Sequence, residues 1–227
     1  KLFSGKDQTA KVVVMDANDN AAPLTVRLLN WNFENLDVVP LEKKQAAWQE
    51  IKSWKPWAST LKEPNIRAKF RTFWNQEFLR LEVEVTDPKF HQPYPADEAW
   101  QGDSIQIGLQ HYDEGKPMHK GATEVTVASA DGKPVIYRHL SQNGRGENSL
   151  LQKSRLDFQN KDGRQFYRID LNWSEIGFSK PVAGKKFGLS LLVNSNEGKG
   201  RCGILYWGEG IAVSKQPTEY NQLKLVK

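Results

Sequence analysis

The sequence has a single cysteine, Cys202, in 227 residues. It has no partner for an internal disulfide, and a Cys-rich zinc centre cannot be assembled around it. Long apolar runs are also missing. The longest are a few residues, far short of the ~20 that a membrane-spanning helix needs. The opening Lys1-Leu2-Phe3-Ser4-Gly5 lacks the apolar stretch of a secretory leader and an initiator Met, which suggests a piece of a longer protein. Basic residues number 32 and acidic residues 27, for a net charge of +5. The excess is spread along the chain, with no Lys/Arg run of the kind that tracks a nucleic-acid backbone. Neither nucleic acid nor membrane is therefore expected as a partner, whereas an anionic ligand is allowed.

Catalytic signatures are equally scarce. The four histidines, His91, His111, His119 and His139, form no His-x-x-x-His pair. No Gly-x-Ser-x-Gly elbow occurs either. We therefore read the chain as a binding protein and not an enzyme.

What the sequence does have is alternation. Ile66–Phe73 and Phe78–Val85 each switch between apolar and polar, with Asn75-Gln76 between them, which predicts a hairpin with one buried face. Asp87-Pro88 ends the second strand. Further strands are predicted at 104–109, 123–127, 134–137, 156–158, 166–171, 187–193, 203–207 and 223–226, separated by turns such as Asp131-Gly132 and Lys161–Arg164. Many short strands with regular turns predict an all-β fold: an antiparallel β-sandwich, jelly-roll-like. One short helix is expected over Pro40–Trp54, where helix formers follow a proline suited to a first turn. A second helical turn is expected at Ser174–Gly177. Two strand candidates, Lys11–Met15 and Leu24–Leu29, precede Pro40. Residues 1–39 are thus taken as N-terminal strands or the tail of a preceding domain, and 40–227 as the sandwich.

Eight tryptophans supply either core or flat contact surfaces. Trp173 and Trp207 are expected in the core and Trp74 in a structural position. Trp100 follows a Pro-rich loop and reads equally as a stacking platform or as packing over a sheet edge. Arg201 is expected to pair with a carboxylate such as Asp103.

Several segments together resemble the family 9 carbohydrate-binding modules and their wider superfamily. They are Leu79–Pro88, Trp100–Ile107, Tyr167–Trp173, Val193–Asn196, Gly200–Gly203, Tyr206–Ile211 and Lys215–Leu223. The resemblance covers roughly residues 40–227. It implies a non-catalytic, sugar-binding accessory domain of a larger glycan-active protein, secreted or on the surface of a bacterium and serving polysaccharide degradation. Its partners would be a polysaccharide or oligosaccharide and the other domains of the parent protein. In the family a sugar is clamped between two tryptophans, and polar side chains grip its hydroxyls. Carried over by position, the first tryptophan falls on Trp100. The acidic residue of the next strand falls on Gln106, and the arginine of the strand after that falls near Glu124 or Thr126. The second tryptophan falls near Ser214, so that wall of the clamp is missing unless Tyr112, Tyr220 or another aromatic takes its place.

The candidate binding residues are therefore Trp100, Gln106, Glu124 and Thr126. No cofactor is expected, apart from a structural calcium of the kind some relatives carry, for which Asp87, Asp97, Glu98 and Asp103 would offer oxygen ligands. Two rival readings remain: a structural or interaction sandwich that binds no sugar, and a b-type haem carrier of the same superfamily. Met118-His119 invites the haem reading, but neighbours on a strand point to opposite faces and do not easily ligate one iron.

Overall fold

A computed structural model describes residues 8–15, 21–28, 34–57, 65–113, 116–117, 122–178, 181–212 and 214–227. The chain divides into two compact units, residues 1–33 and 34–227. The first contains an antiparallel hairpin of β1 (Gln8–Met15) and β2 (Ala21–Leu28).

The second unit is all-β. Its strands are β3 (Asn35–Pro40), β4 (Gln49–Ile51), β5 (Ser53–Pro56), β6 (Arg67–Trp74), β7 (Phe78–Thr86), β8 (Ser104–Asp113), β9 (Lys116–Pro117) and β10 (Thr123–Ala130). They continue with β11 (Lys133–Leu140), β12 (Ser149–Leu150), β13 (Arg155–Lys161), β14 (Arg164–Asn172), β15 (Lys186–Asn196), β16 (Arg201–Trp207) and β17 (Asn221–Leu225). One connected sheet runs β12-β11-β10-β8-β15-β17-β3-β6-β7-β14-β13, and β16 joins β15 to β5.

The expected hairpins form as read. In the first, Arg67 to Trp74 pairs with Thr86 to Leu79, and the Asn75 side chain accepts the N–H groups of Glu77 and Phe78 to close the turn. In the second, Asp162-Gly163 turns β13 into β14 with φ of 51° and 73°, the left-handed pair a tight hairpin requires.

Two expectations need correction. The sheet is mixed, not purely antiparallel, because β3 runs parallel to both β17 and β6. β3 itself lies inside this sheet, in the compact unit that runs from Glu34. The helix over 40–54 does not form. Only Leu41–Lys43 makes a 3-10 turn, which ends at Lys44 with φ 54°. Thereafter β4 pairs with β6, which buries Ile51, and the Trp48 ring lies 4.5 Å from both Lys69 Nζ and the Arg71 guanidinium carbon. Helix propensity is worth a few tenths of a kcal/mol per residue, whereas burying one isoleucine is worth about 2 kcal/mol, so edge pairing prevails.

The inward faces share one core, which includes Phe70, Leu79, Ile105, Ile107, Trp173 and Trp207. Burial on both faces distinguishes β8, β10 and β15. Their outer face is capped by a smaller cluster of Ala122, Leu192, Ile204, Ile211 and Tyr220. Tyr220 reaches β8 because residue 108 is glycine; a Cβ there would sit 2.4 Å from the Tyr220 hydroxyl. No helix among the described residues is long and apolar enough to cross a membrane.

Candidate functional site

The outer face of β8 and its neighbours is capped only in part, and beside the cap lies a cleft of about 500 Å³. Period-two geometry determines what lines it. Ile105 and Ile107 enter the core, so Gln106 faces outward. Across the strand pair, Thr126 stands opposite Gln106 and Glu124 opposite Gly108 on the same face, next to a register shift between Glu124 and Val125. The sequence therefore brings Trp100, Gln106 and Glu124 to one cleft, joined by Trp57, His139, Arg201 and Lys215. Thr126 is fully buried and reaches the cleft only through His139, whose Nε2 lies 2.8 Å from the threonine hydroxyl.

Trp100 sits on the single 3-10 turn Ala99–Gln101 that ends the long loop. The turn is fastened from several sides. The Gln92 amide donates to the carbonyls of Ala99 (2.8 Å) and Asp103 (3.0 Å), and the Asn196 amide donates to the Gln101 carbonyl (2.9 Å). Asp103 accepts the backbone N–H of Asn196 at 2.7 Å and that of His91. Its partners are thus backbone groups and not Arg201, contrary to the expected ion pair.

Burial pushes the Asp103 carboxyl up to about 8, against the pull of the His91 N–H, and the nearby Asp87 and Glu197 charges raise it further. The folded state then holds a proton that the unfolded chain releases near pH 4. This stabilising contribution is complete below that value and lost as the pH rises through about 8. We expect the urea unfolding midpoint to fall between pH 6 and 9, and an Asp103→Asn variant to flatten that slope. An equal slope in the variant would refute the assignment.

Trp57 is the residue that the sequence reading missed. It follows β5, which pairs with β16, and its backbone N–H bonds to the Cys202 carbonyl at 2.9 Å. The close approach of β5 depends on Gly203, where a Cβ would lie 2.4 Å from the Trp54 ring. Trp57 is 54% exposed, the most open tryptophan among the described residues. The Arg201 guanidinium carbon lies 4.2 Å from the Trp57 ring centroid and 5.5 Å from that of Trp100. A second indole therefore lines the cleft, but it comes from position 57, just after β5, and not from position 214, where the Ser214 hydroxyl bonds to Glu219. Tyr220 is buried within the cap and does not line the cleft, and the Tyr112 side chain lies outside the described residues.

The polar groups are ordered. Arg201 donates to Asn194 Oδ1 (2.6 Å) and approaches Gln106 Oε1 (3.4 Å). Glu124 is held by Lys215 (2.8 Å) and by the Tyr220 hydroxyl (3.5 Å). Burial pulls His139 down, and the Lys215 charge adds to the effect, so its ring is neutral at pH 7. A second cavity of about 440 Å³ on the β6–β7–β14 face is lined by charged residues, two of which, Lys69 and Glu84, pair at 2.8 Å. It reads as a solvated charge ladder.

The calcium expectation meets a poor donor set. Asp87 accepts the Lys89 N–H and both Asp103 oxygens are taken, and among the described residues no three His, Cys, Asp or Glu side chains converge as ligands. These residues do not fit the ion. Met118 and His119, which prompted the haem reading, lie outside the described residues.

The family profile described as "Carbohydrate family 9 binding domain-like" matches residues 42–227. The chain belongs to this family. Its fold is similar to that of a family 9 module from Caldicellulosiruptor kristjanssonii in complex with glucose (TM-score 0.64, 14% identity, covering 85% of this chain and 95% of that one). A family 9 module from the same organism in complex with cellotriose gives TM-score 0.58 and 16% identity over 85% of this chain and 94% of that one. A putative carbohydrate-binding protein from Bacteroides uniformis gives 0.58 and 8% over 86% and 100%. No curated protein matches the sequence significantly.

Proposed function

We propose that this module binds a saccharide without transforming it, in the cleft between Trp57 and Trp100. The reading extends to its setting: an accessory domain of a larger glycan-active protein, working outside a bacterial cell. The observation that carries the proposal is the meeting of two indoles with an ordered set of amides and charges on one partly capped sheet face. Sugar hydroxyls exchange water for protein hydrogen bonds at little net gain, so apolar stacking and a preformed cleft must supply much of the affinity. Family membership and the glucose and cellotriose complexes of similar folds support the same ligand class.

The test is an affinity-gel and glycan-array screen followed by titration. Trp100→Ala should lower affinity for the retained glycan about tenfold, the loss of roughly 1.5 kcal/mol of stacking. Unchanged affinity would reduce Trp100 to packing. No retained glycan at all would favour a purely structural sandwich.

A further inference from the structure

The charges of the cleft do not balance one by one. Of its two carboxylates, Glu124 is neutralised by Lys215 at 2.8 Å. Glu147 stands at the exposed rim and accepts the Ser141 N–H. Among the described residues Arg201 has no such partner. Both of its hydrogen bonds go to neutral amide oxygens, those of Asn194 and Gln106, and its Nε is buried with no partner. Burial alone pulls the guanidinium down, to about 10, and it is still charged at pH 7. A half-buried cation without a counter-ion among the described residues carries a desolvation cost, and the two indole faces offset only part of it. The two positions from which a side chain reaches it, 194 and 106, both carry amides where a carboxylate would have neutralised it.

On the reading that this cleft takes a saccharide, we propose that its ligand is an acidic sugar, whose anionic substituent is received by the Arg201 guanidinium between Trp57 and Trp100. The ligand supplies the missing negative charge. Its ring stacks on the indoles, and the Gln106 and Asn194 amides are placed to orient the group they already share with Arg201. A carboxylate of a uronic acid and a sulfate ester present the same chemistry to this site. A neutral sugar would leave the arginine uncompensated and gain only stacking and hydroxyl contacts.

The experiment uses the full chain and matched probes: glucose and galactose oligosaccharides, the corresponding glucuronate and galacturonate oligosaccharides, and sulfated counterparts, each titrated at two salt concentrations. The acidic member of a pair should bind about tenfold tighter, and that advantage should shrink as salt rises. The uronate and sulfate arms separate the two sources of charge. Gln106→Glu gives Arg201 an internal counter-ion with little change in volume. It should lower the ratio of acidic to neutral affinity, measured in the same variant, about tenfold. Arg201→Gln, with its unfolding midpoint measured alongside, should do the same. Equal binding of neutral and acidic members, or an acidic preference that survives Gln106→Glu, overturns the proposal but leaves saccharide binding intact. Failure to bind any member overturns both.

Discussion

Trp57→Ala is expected to weaken saccharide binding about 30-fold while hardly moving the unfolding midpoint. The two effects separate because of where the indole sits. More than half of its surface faces water, so the fold gains little from it and should lose less than about 1 kcal/mol on truncation. A sugar ring lying against that open face would bury it, and the apolar area covered is worth about 2 kcal/mol. Removing the ring also uncovers Arg201, whose guanidinium lies 4.2 Å from the ring centroid. Titration with the retained glycan, run beside urea unfolding, distinguishes the outcomes. A large stability loss with unchanged affinity would make Trp57 a structural residue and leave the cleft with one wall.

Gly203→Ala should cost about 2–3 kcal/mol of stability and also weaken binding. The added methyl would lie 2.4 Å from the Trp54 ring and 2.6 Å from the Lys55 carbonyl oxygen. Shrinking Trp54 would relieve only the first contact, because the second is with backbone. β5 must then move away from β16, and Trp57 follows it through the bond to the Cys202 carbonyl. Urea unfolding should show a lower midpoint at an unchanged slope. An unaltered midpoint would mean that β5 approaches β16 less closely than described.

Much of this fold could be read directly. Alternation at 66–73 and 78–85 located the first hairpin because one face is buried and the other wet, which is the condition for a period of two to appear. The same logic pointed Gln106 and Glu124 away from the core. It said nothing about the region 49–56, where β4 and β5 are short and their helix-forming residues are overruled by pairing partners distant in sequence. Hence Trp57 escaped notice. Its part in the cleft depends on Gly203, 146 positions later, and no local pattern links the two. The available signal was composition: a tryptophan next to a proline, outside any apolar stripe. Arg201 was legible as a residue in need of a partner. That its partners would be amides and indoles follows from which strands meet, which local sequence does not encode.

The placement of β3 also bears on how the protein comes into being. Along β17 it pairs at four positions, from Gln222 with Asn35 to Leu225 with Val38, whereas along β6 it pairs at only two. During synthesis the strand leaves the ribosome about 190 residues ahead of its main partner. Until then β3 has little to hold it, and the two halves of the sheet have no seam. Folding of this unit should therefore be completed only once β17 has emerged, and slowly, as closure of so long a loop demands.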